Sequence, residues 1–390
     1  MAIHLGCMGS AASQIAENPR NALVGSYCRT MAAGRQVRWW LGLGLIGIGA
    51  AALVVAALLP TYLMPRLTRI PSDIHTEAIS LADNASVIDV GAGLAGHMRT
   101  ETGVPIKVQT LVVSAQPTDA DRVTLVATTR LLRSDRDGPN AMVTARAEAV
   151  TLSRTTSEPV DPVGQIKLEV DKPADRVSRS GFQYHFPFDT QKQSYLYFDT
   201  TARRDIPIDY VDDDRHEGGL RLLHFRQSIG PINLYPEQPD MQMTLPASWW
   251  GLPGEQQTRF DLHYSNTRDI WVEPTSGAIV EQREHVRRFL ARTVDDPLAV
   301  TTLEIRTRFD EQSLAEAVHT ARQARMLIRW GNLYAPILLA AAGIAMVAAG
   351  LLIRWRATEV DDRDITGVDD HHPDGRKHVP VQDISVEHRL

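Results

Sequence analysis

Paired carboxylates, clustered histidines or a nucleophile beside a base would let this 390-residue chain do covalent chemistry. Asp189, Asp199, Asp209 and Glu273 are candidates for a sugar-cleaving pair, which needs two carboxyls facing each other across a cleft. Their spacing sets no two of them opposite. Asp212-Asp213-Asp214, followed by Glu217 and Gly218, has the charge of a calcium loop without the spaced ligands of an EF-hand. It reads as a solvated acidic turn. Nine of the 13 histidines precede residue 320, and none stands at a metal ligand's spacing from another. His371 and His372 beside Asp369 and Asp370 belong to a polar tail, which reads as solvated. There is no G-x-S-x-G, H-E-x-x-H, Walker loop or dinucleotide fingerprint. The expectation is a protein without catalysis, metal or cofactor.

Aromatic residues offer a different chemistry, contact with apolar chains. By alternation Phe182, Tyr184 and Phe186 share one face of an expected strand. With Phe188, Tyr195 and Tyr197 they either line acyl chains or pack across a hairpin turned at Phe186–Asp189, and packing is the favoured account for most of them. Trp249 and Trp250 open an apolar loop, Gly251-Leu252-Pro253-Gly254, that serves as an interfacial lip or tucks against a core. Trp271 completes the candidate set for lipid contact.

These residues need a scaffold, and the charge pattern supplies its outline. Overall the chain has 41 Lys plus Arg against 47 Asp plus Glu, a net charge of −6, which disfavours a nucleic-acid partner. Two stretches carry no charge at all, Trp39–Pro65 and Gly331–Ile353. Each matches the roughly 20 apolar residues a helix needs to cross a bilayer, and the first is too long for a signal-peptide core. Arg20, Arg29, Arg35 and Arg38 precede the first stretch and Arg354 and Arg356 follow the second, so both termini are expected in the cytoplasm. The chain then divides into a disordered leader (1–38), a transmembrane helix (39–64), an extracytoplasmic β domain (66–311), a helix leading to the membrane (312–330), a second transmembrane helix (331–353) and a disordered acidic tail (354–390). Met31 makes a natural alternative start. Cys7 and Cys28 both lie in the leader, so the β domain has no disulfide.

Period-two patterning dominates the body. Strands are expected at Val104–Val113, Arg122–Leu132, Met142–Leu152, Gly181–Phe186, Ser194–Asp199, Leu220–Ile229, Met241–Leu245, Thr258–Tyr264 and Ala299–Phe309. Asp269–Val272 and Ala278–Arg288 form a hairpin through Glu273-Pro274-Thr275-Ser276-Gly277. Gln312–Ile328 reads as a helix that runs on into the membrane. Many strands without βαβ alternation give a mainly β class, an elongated wrapped or barrel-like domain between two transmembrane helices. Ala341, Ala345 and Ala349 in one membrane helix, and Gly42, Gly49 and Ala56 in the other, make small-residue stripes suited to close pairing.

The segment Gly181-Phe182-Gln183-Tyr184-His185-Phe186-Pro187-Phe188-Asp189-Thr190, continued by Lys192, Tyr195 and Asp199, resembles the FPF…K…Y…D signature of the actinobacterial PorA-like family. Gly219–Phe225, Trp271-Val272-Glu273-Pro274 with Gly277-Ala278-Ile279, and Pro60–Leu67 with Ile70-Pro71 resemble it in the same order, so the likeness spans roughly residues 36–356. It departs in Tyr195-Leu196-Tyr197-Phe198-Asp199, where the family more often has Y-x-x-W/F-D. The resemblance implies an envelope protein of mycobacteria and their relatives, associated with lipomannan and lipoarabinomannan maturation, mycolate-lipid handling and polar growth. It further implies binding of an amphiphilic lipid or lipoglycan precursor in the β domain of a cytoplasmic-membrane protein, acyl chains shielded in an apolar cavity. The rival expectation is a scaffold that recruits membrane-embedded enzymes or transporters.

Overall fold

The computed structural model of the chain places most of each charge-free stretch in a long helix, α1 (Pro19–Leu58) or α5 (Ala335–Ile365), and has two short helices between them, α2 (Met64–Leu67) and α3 (Val90–Leu94). It describes residues 19–168, 172–215 and 219–365, with side chains over 36–168, 172–213 and 219–356. The chain divides into two compact units, Leu58–Pro336 and the helical stretches before and after it. Helix α1 reaches back to Pro19, well ahead of the Arg38 boundary drawn from the apolar run. Pro19 suits a first helical position, where its missing N–H costs nothing, and Ala, Leu, Gln and Arg further on favour the helix. Helix α5 likewise continues past Arg354. The expectations for residues 1–18 and 366–390, including His371 and His372, lie outside the described residues.

Two helices are long and apolar enough to cross a membrane, Gln36–Leu67 and Glu311–Arg356. In the helical unit their pairing runs through glycine. A Cβ on Gly49 would stand 2.7 Å from the Gly343 carbonyl oxygen, one on Gly343 2.8 Å from that of Gly49, and one on Gly350 2.6 Å from that of Gly42. Backbones this close admit no side chain. Gly42 and Gly49 are thus used as expected. The partner stripe, however, is Gly343 and Gly350, while Ala341 and Ala345 are exposed.

The body is an antiparallel sheet of 13 strands. A first meander comprises β1 (His75–Ile88), β2 (Thr100–Ala115), β3 (Arg122–Arg133), β4 (Met142–Ser153), β5 (Val163–Lys167) and β6 (Asp175–Ser178). A second comprises β7 (Tyr195–Asp199), β8 (Arg204–Arg215), β9 (Arg221–Asn233), β11 (Gln257–Glu273), β12 (Ala278–Ala291) and β13 (Val300–Phe309), with β10 (Gln242–Pro246) alongside β11. Pairing of β1 with β13 joins the two meanders, leaving β6 and β7 as the edges. The sheet is open in strand order yet wraps until these edges meet. Ile166 and Val177 share a buried cluster with Phe198 of β7. The backbone leaving β6 spans the seam: Arg179 N donates to Pro162 O (2.8 Å), Phe182 N to Leu196 O and Phe198 N to Phe182 O (both 2.9 Å).

Most expected strands appear with longer bounds, and the exceptions have physical causes. Gly181–Phe186 is no strand; beyond one bridge from Phe182 to Tyr197 it leaves the sheet toward Pro187. Thr258–Tyr264 and Asp269–Val272 are one strand, β11, because Asn266 and Arg268 between them face the interior and not a turn. The acidic run lies on β8, not in a turn: Asp213 binds Lys192 and Arg221, and Asp212 binds His224.

Inside the wrap β9 and β11 pass from apolar to polar and back to apolar. On β9 the inward order is Ile229, Gln227, Phe225; on β11 it is Tyr264, Asn266, Arg268, Ile270. One end of the interior packs Ala82, Val104, Ile106, Leu131 and Ile305. The other packs Phe186, Ile208, Phe225, Ile270 and Val272, with Ile70, Val123, Leu125, Val150 and Leu152. Between them runs a belt of charge. Outside, α4 (Glu311–Arg329) covers Leu220, Leu222, Trp271 and Val280 with Leu314, Val318 and Ala321. Asp310 caps α4 by accepting from Ser313 N (2.8 Å), and Ser313 Oγ accepts from Ile79 N of β1 (2.9 Å).

Candidate functional site

Two turns clamp onto one another near the end of α4. Gly277 closes the β11–β12 turn at φ +73°, and a Cβ there would stand 2.2 Å from the Phe186 carbonyl oxygen. Phe186 N donates to Gly277 O (2.9 Å), Thr190 N to Pro274 O (2.8 Å) and Thr190 Oγ1 to Pro187 O (2.6 Å). The Phe186-Pro187-Phe188-Asp189-Thr190 and Glu273–Gly277 segments are therefore one assembly. A groove of about 650 Å³ opens against it, lined by Asp189, Thr190, Gln191, Lys192, Arg221 and Leu223, by Glu273, Pro274 and Thr275, and by Arg325 and Arg329 of α4.

Four cations border this groove. Lys192 Nζ lies 2.8 Å from Asp213, which also accepts from Arg221 and from the Tyr210 hydroxyl (2.7 Å). The Lys192 ammonium, then the Tyr210 hydroxyl and Arg221, hold the Asp213 carboxyl well below its ordinary range, and Asp213 in turn raises Lys192. Glu273, 1% exposed, accepts from Ser276 N (2.8 Å) and Oγ (2.7 Å) and stands 3.7 Å from Arg325 Nε. Arg329 has no ion-pair or hydrogen-bond partner among the described residues. It precedes Trp330 and the charge-free run in sequence.

The nine aromatic candidates are scattered by the fold. Phe182, Phe186, Tyr195 and Tyr197 meet in one cluster, with Phe186 stacked 5.1 Å from Phe225. Leu223 belongs both to this cluster and to the groove wall, and the aromatic rings themselves pack behind it, outside the groove lining. Tyr184 and Phe188 pack elsewhere, beside Val123 and Leu152. Trp271, 7% exposed, stacks on His224 at 4.6 Å under α4. Trp249 covers Gly96, and Trp250, 4% exposed, stacks on Phe260 at 4.0 Å. These two tryptophans lie near the opposite end of β11 from the groove, with the loop tucked against strands.

Between the apolar layers lie side chains that an acyl-lined cavity would exclude. Asp199, 0% exposed, accepts from Arg268 Nη2 (3.0 Å), Tyr264 OH (2.9 Å), Thr201 N (3.0 Å) and Ala202 N (2.8 Å). Burial pushes its carboxyl up, but the Arg268 charge, the Ala202 amide and the Tyr264 hydroxyl together hold it below its ordinary value. Arg268 also binds Glu284 and Gln227, and its guanidinium lies 5.2 Å from the Tyr197 ring. Glu148 accepts from Gln183 Nε2 (3.1 Å) and faces Arg179 at 3.7 Å. The expected apolar lumen is thus corrected: a continuous acyl path would have to strip these charges of their partners.

The carboxylate candidates are structural in their contacts. Asp199 and Glu273 are buried in the networks above, and Asp209 accepts from Ser194 Oγ (2.5 Å). Among the described residues no three metal-ligating side chains cluster. Sequence reasoning missed the groove arginines Arg325 and Arg329. Their spacing on one face of α4 was the available signal. The belt left a fainter trace, Arg146 and Glu148 on the same face of β4.

The sequence profile of the family described as Porin PorA matches residues 41–352 of the chain. The protein named Porin PorA from Corynebacterium amycolatum is 28% identical over 382 residues, covering 81% of this chain and 99% of that protein. One of the same name from Corynebacterium resistens is 27% identical over 394 residues, covering 79% and 95%.

Proposed function

The chain belongs to the Porin PorA family, and from that premise we propose that it is a non-catalytic, two-pass membrane protein that binds the polar end of an envelope lipid or lipoglycan precursor beside the bilayer. Acyl chains remain in the bilayer, and the headgroup enters the groove between Arg325, Arg329, Lys192 and Arg221. The observation that carries this reading is Arg329: a cation without a protein partner among the described residues, on the groove wall and directly ahead of an apolar run. Guanidinium groups at such a boundary suit phosphate or another anionic headgroup. Leu223 and Pro274 on the groove wall supply a small apolar surface for the first carbons of a chain. Arg35 and Arg38 before one apolar run and Arg354 and Arg356 after the other support cytoplasmic termini and an extracytoplasmic body at the inner membrane.

The relatives are named porins, and a strand-lined pore would need an apolar outer band. The outward positions of β1 and β11 to β13 instead include Asp83, Asp269, Arg283, Arg306 and Arg308. That charge supports a body standing in water. The exposed Ala341–Ala345 face of α5 favours a second reading, a scaffold that docks a membrane enzyme or transporter.

Native mass spectrometry of the full chain, extracted with and without added phosphatidylinositol, tests the binding reading. The intact protein should retain lipid, and the Arg325→Gln/Arg329→Gln double variant about tenfold less, the loss expected from two exposed charge contacts. Equal retention by both proteins would remove the groove as the site. No retention by either would leave the scaffold.

A further inference from the structure

The charge belt inside the wrap does not balance. Arg146, Arg179, Arg268 and Arg288 face Glu148, Asp199 and Glu284. Arg268 engages both Asp199 and Glu284, and Arg179 stands against Glu148. No carboxylate is within ion-pair distance of Arg146 or Arg288 among the described residues. Arg288 Nη2 donates to Thr201 Oγ1 (3.1 Å), but its Nε is buried without a partner, and so is Nε of Arg146.

Asn266 makes the imbalance specific. It is 2% exposed, points into the wrap, and neither Oδ1 nor Nδ2 has a hydrogen-bond partner. On β11 it lies between Tyr264 and Arg268; Tyr264 is paired with Arg288 and Asn266 with Val286, so Asn266 and Arg288 are diagonal neighbours on the inner face. Arg146 lies on the face of β4 that also carries the buried Glu148, its Nε likewise unpartnered, and its charge acts on Arg288. Burial lowers the proton affinity of Arg288, and the nearby Arg146 charge lowers it further. Two like charges beside an unsatisfied amide are costly in a buried place unless a counter-charge sits among them.

We propose that Arg146, Arg288 and Asn266 form a buried anion site that takes a monovalent ion of halide size. One such ion accepts from both Nε–H groups and from the Asn266 Nδ2–H group, which removes three orphaned donors at once. A monovalent ion is favoured over a phosphate dianion because the cost of stripping water grows with the square of the charge. Such a site makes the wrapped sheet depend on the anion, since an ion bound only by the folded state stabilises it by mass action. The groove plays no part in this site, so failure of one leaves the other standing.

The test uses the full chain in detergent, with chloride replacing gluconate at constant ionic strength. The unfolding temperature should rise saturably, by about 5–10 °C at a hundred times the dissociation constant. Bromide in place of chloride should give one anomalous peak between Arg146 and Arg288. Asn266→Asp places a carboxylate where the ion sits, so this variant should match or exceed the chloride-loaded protein in gluconate and show no chloride response. Arg146→Met should also abolish the response. A chloride-independent wild type would overturn the proposal, as would an Asn266→Asp variant that is less stable in gluconate than the wild type.

Discussion

Replacing Arg268 by methionine tests the energetic centre of the belt. The substitution keeps an unbranched chain of similar length and removes a guanidinium whose side chain is 10% exposed, leaving Asp199 at 0% and Glu284 at 21%. Breaking a buried ion pair from one side costs about 3–5 kcal/mol. Asp199 keeps its bonds from Tyr264, Thr201 and Ala202, which places the expected loss at about 3–4 kcal/mol. For a domain of this size that is a fall in melting temperature of about 6–16 °C. Thermal unfolding of the full chain, followed by tryptophan fluorescence, reads it directly.

The pH dependence supplies the second arm. In the wild type Asp199 sits below its ordinary value, so its stabilisation is complete above the unfolded carboxyl pKa and is lost only as pH falls through the lower folded value. In Arg268→Met the largest lowering influence is gone and burial dominates, which raises the folded pKa above the unfolded one. The variant should therefore regain stability as pH falls from 7 toward 5, narrowing its gap to the wild type. Adding Asp199→Asn should recover most of the loss at pH 7. A melting-temperature loss under about 2 °C, or a gap that ignores pH, would refute the reasoning.

Other perturbations report on other parts of the chain. His185 is held at about 4 by burial, so its contribution is present above the unfolded value near 6.5 and is lost as pH falls toward 4. His185→Asn should accordingly remove about 2 kcal/mol of the stability decrease between pH 7 and pH 5, measured by denaturant unfolding. Gly277→Ala forces a Cβ into the Phe186 carbonyl and a left-handed backbone onto alanine. A loss of about 2–5 kcal/mol is expected, against almost none for Gly44→Ala, which meets nothing within 4 Å. Gly343→Leu should part the paired helices, broadening spin-label distances between Ile48 and Ile344 in a Cys7→Ser/Cys28→Ser background. Gly44→Leu should leave them sharp.

Local chemistry carried much of the fold in legible form. A run without charge is apolar wherever it goes, so both long helices could be read directly, and glycine spacing even marked half of their contact. Clean alternation gave β3, β4 and β13, while Pro274 and Gly277 fixed the hairpin. β1 was missed because its inward residues include Ala82 and Ala85, too small to stand out, and bulges between Leu81 and Ser86 break its period. β8 was missed because acids that bind partners across the sheet look the same in sequence as acids in a solvated turn.

Hydrophobicity and turn chemistry act within a few residues, so the long apolar helices, the β class and the family were legible along the chain. The tertiary structure alone decided which polar residues are inside. Period two separates the faces of a strand without naming the inner one, and along Tyr264–Ile270 both faces carry polar groups. Only the curl of the sheet, bringing β6 to β7, turns one of those faces into a buried belt. The groove has the same origin. Lys192, Arg221 and the Arg325–Arg329 pair come from three segments distant in sequence, and they share a wall because a turn held by Gly277 seats one loop on another.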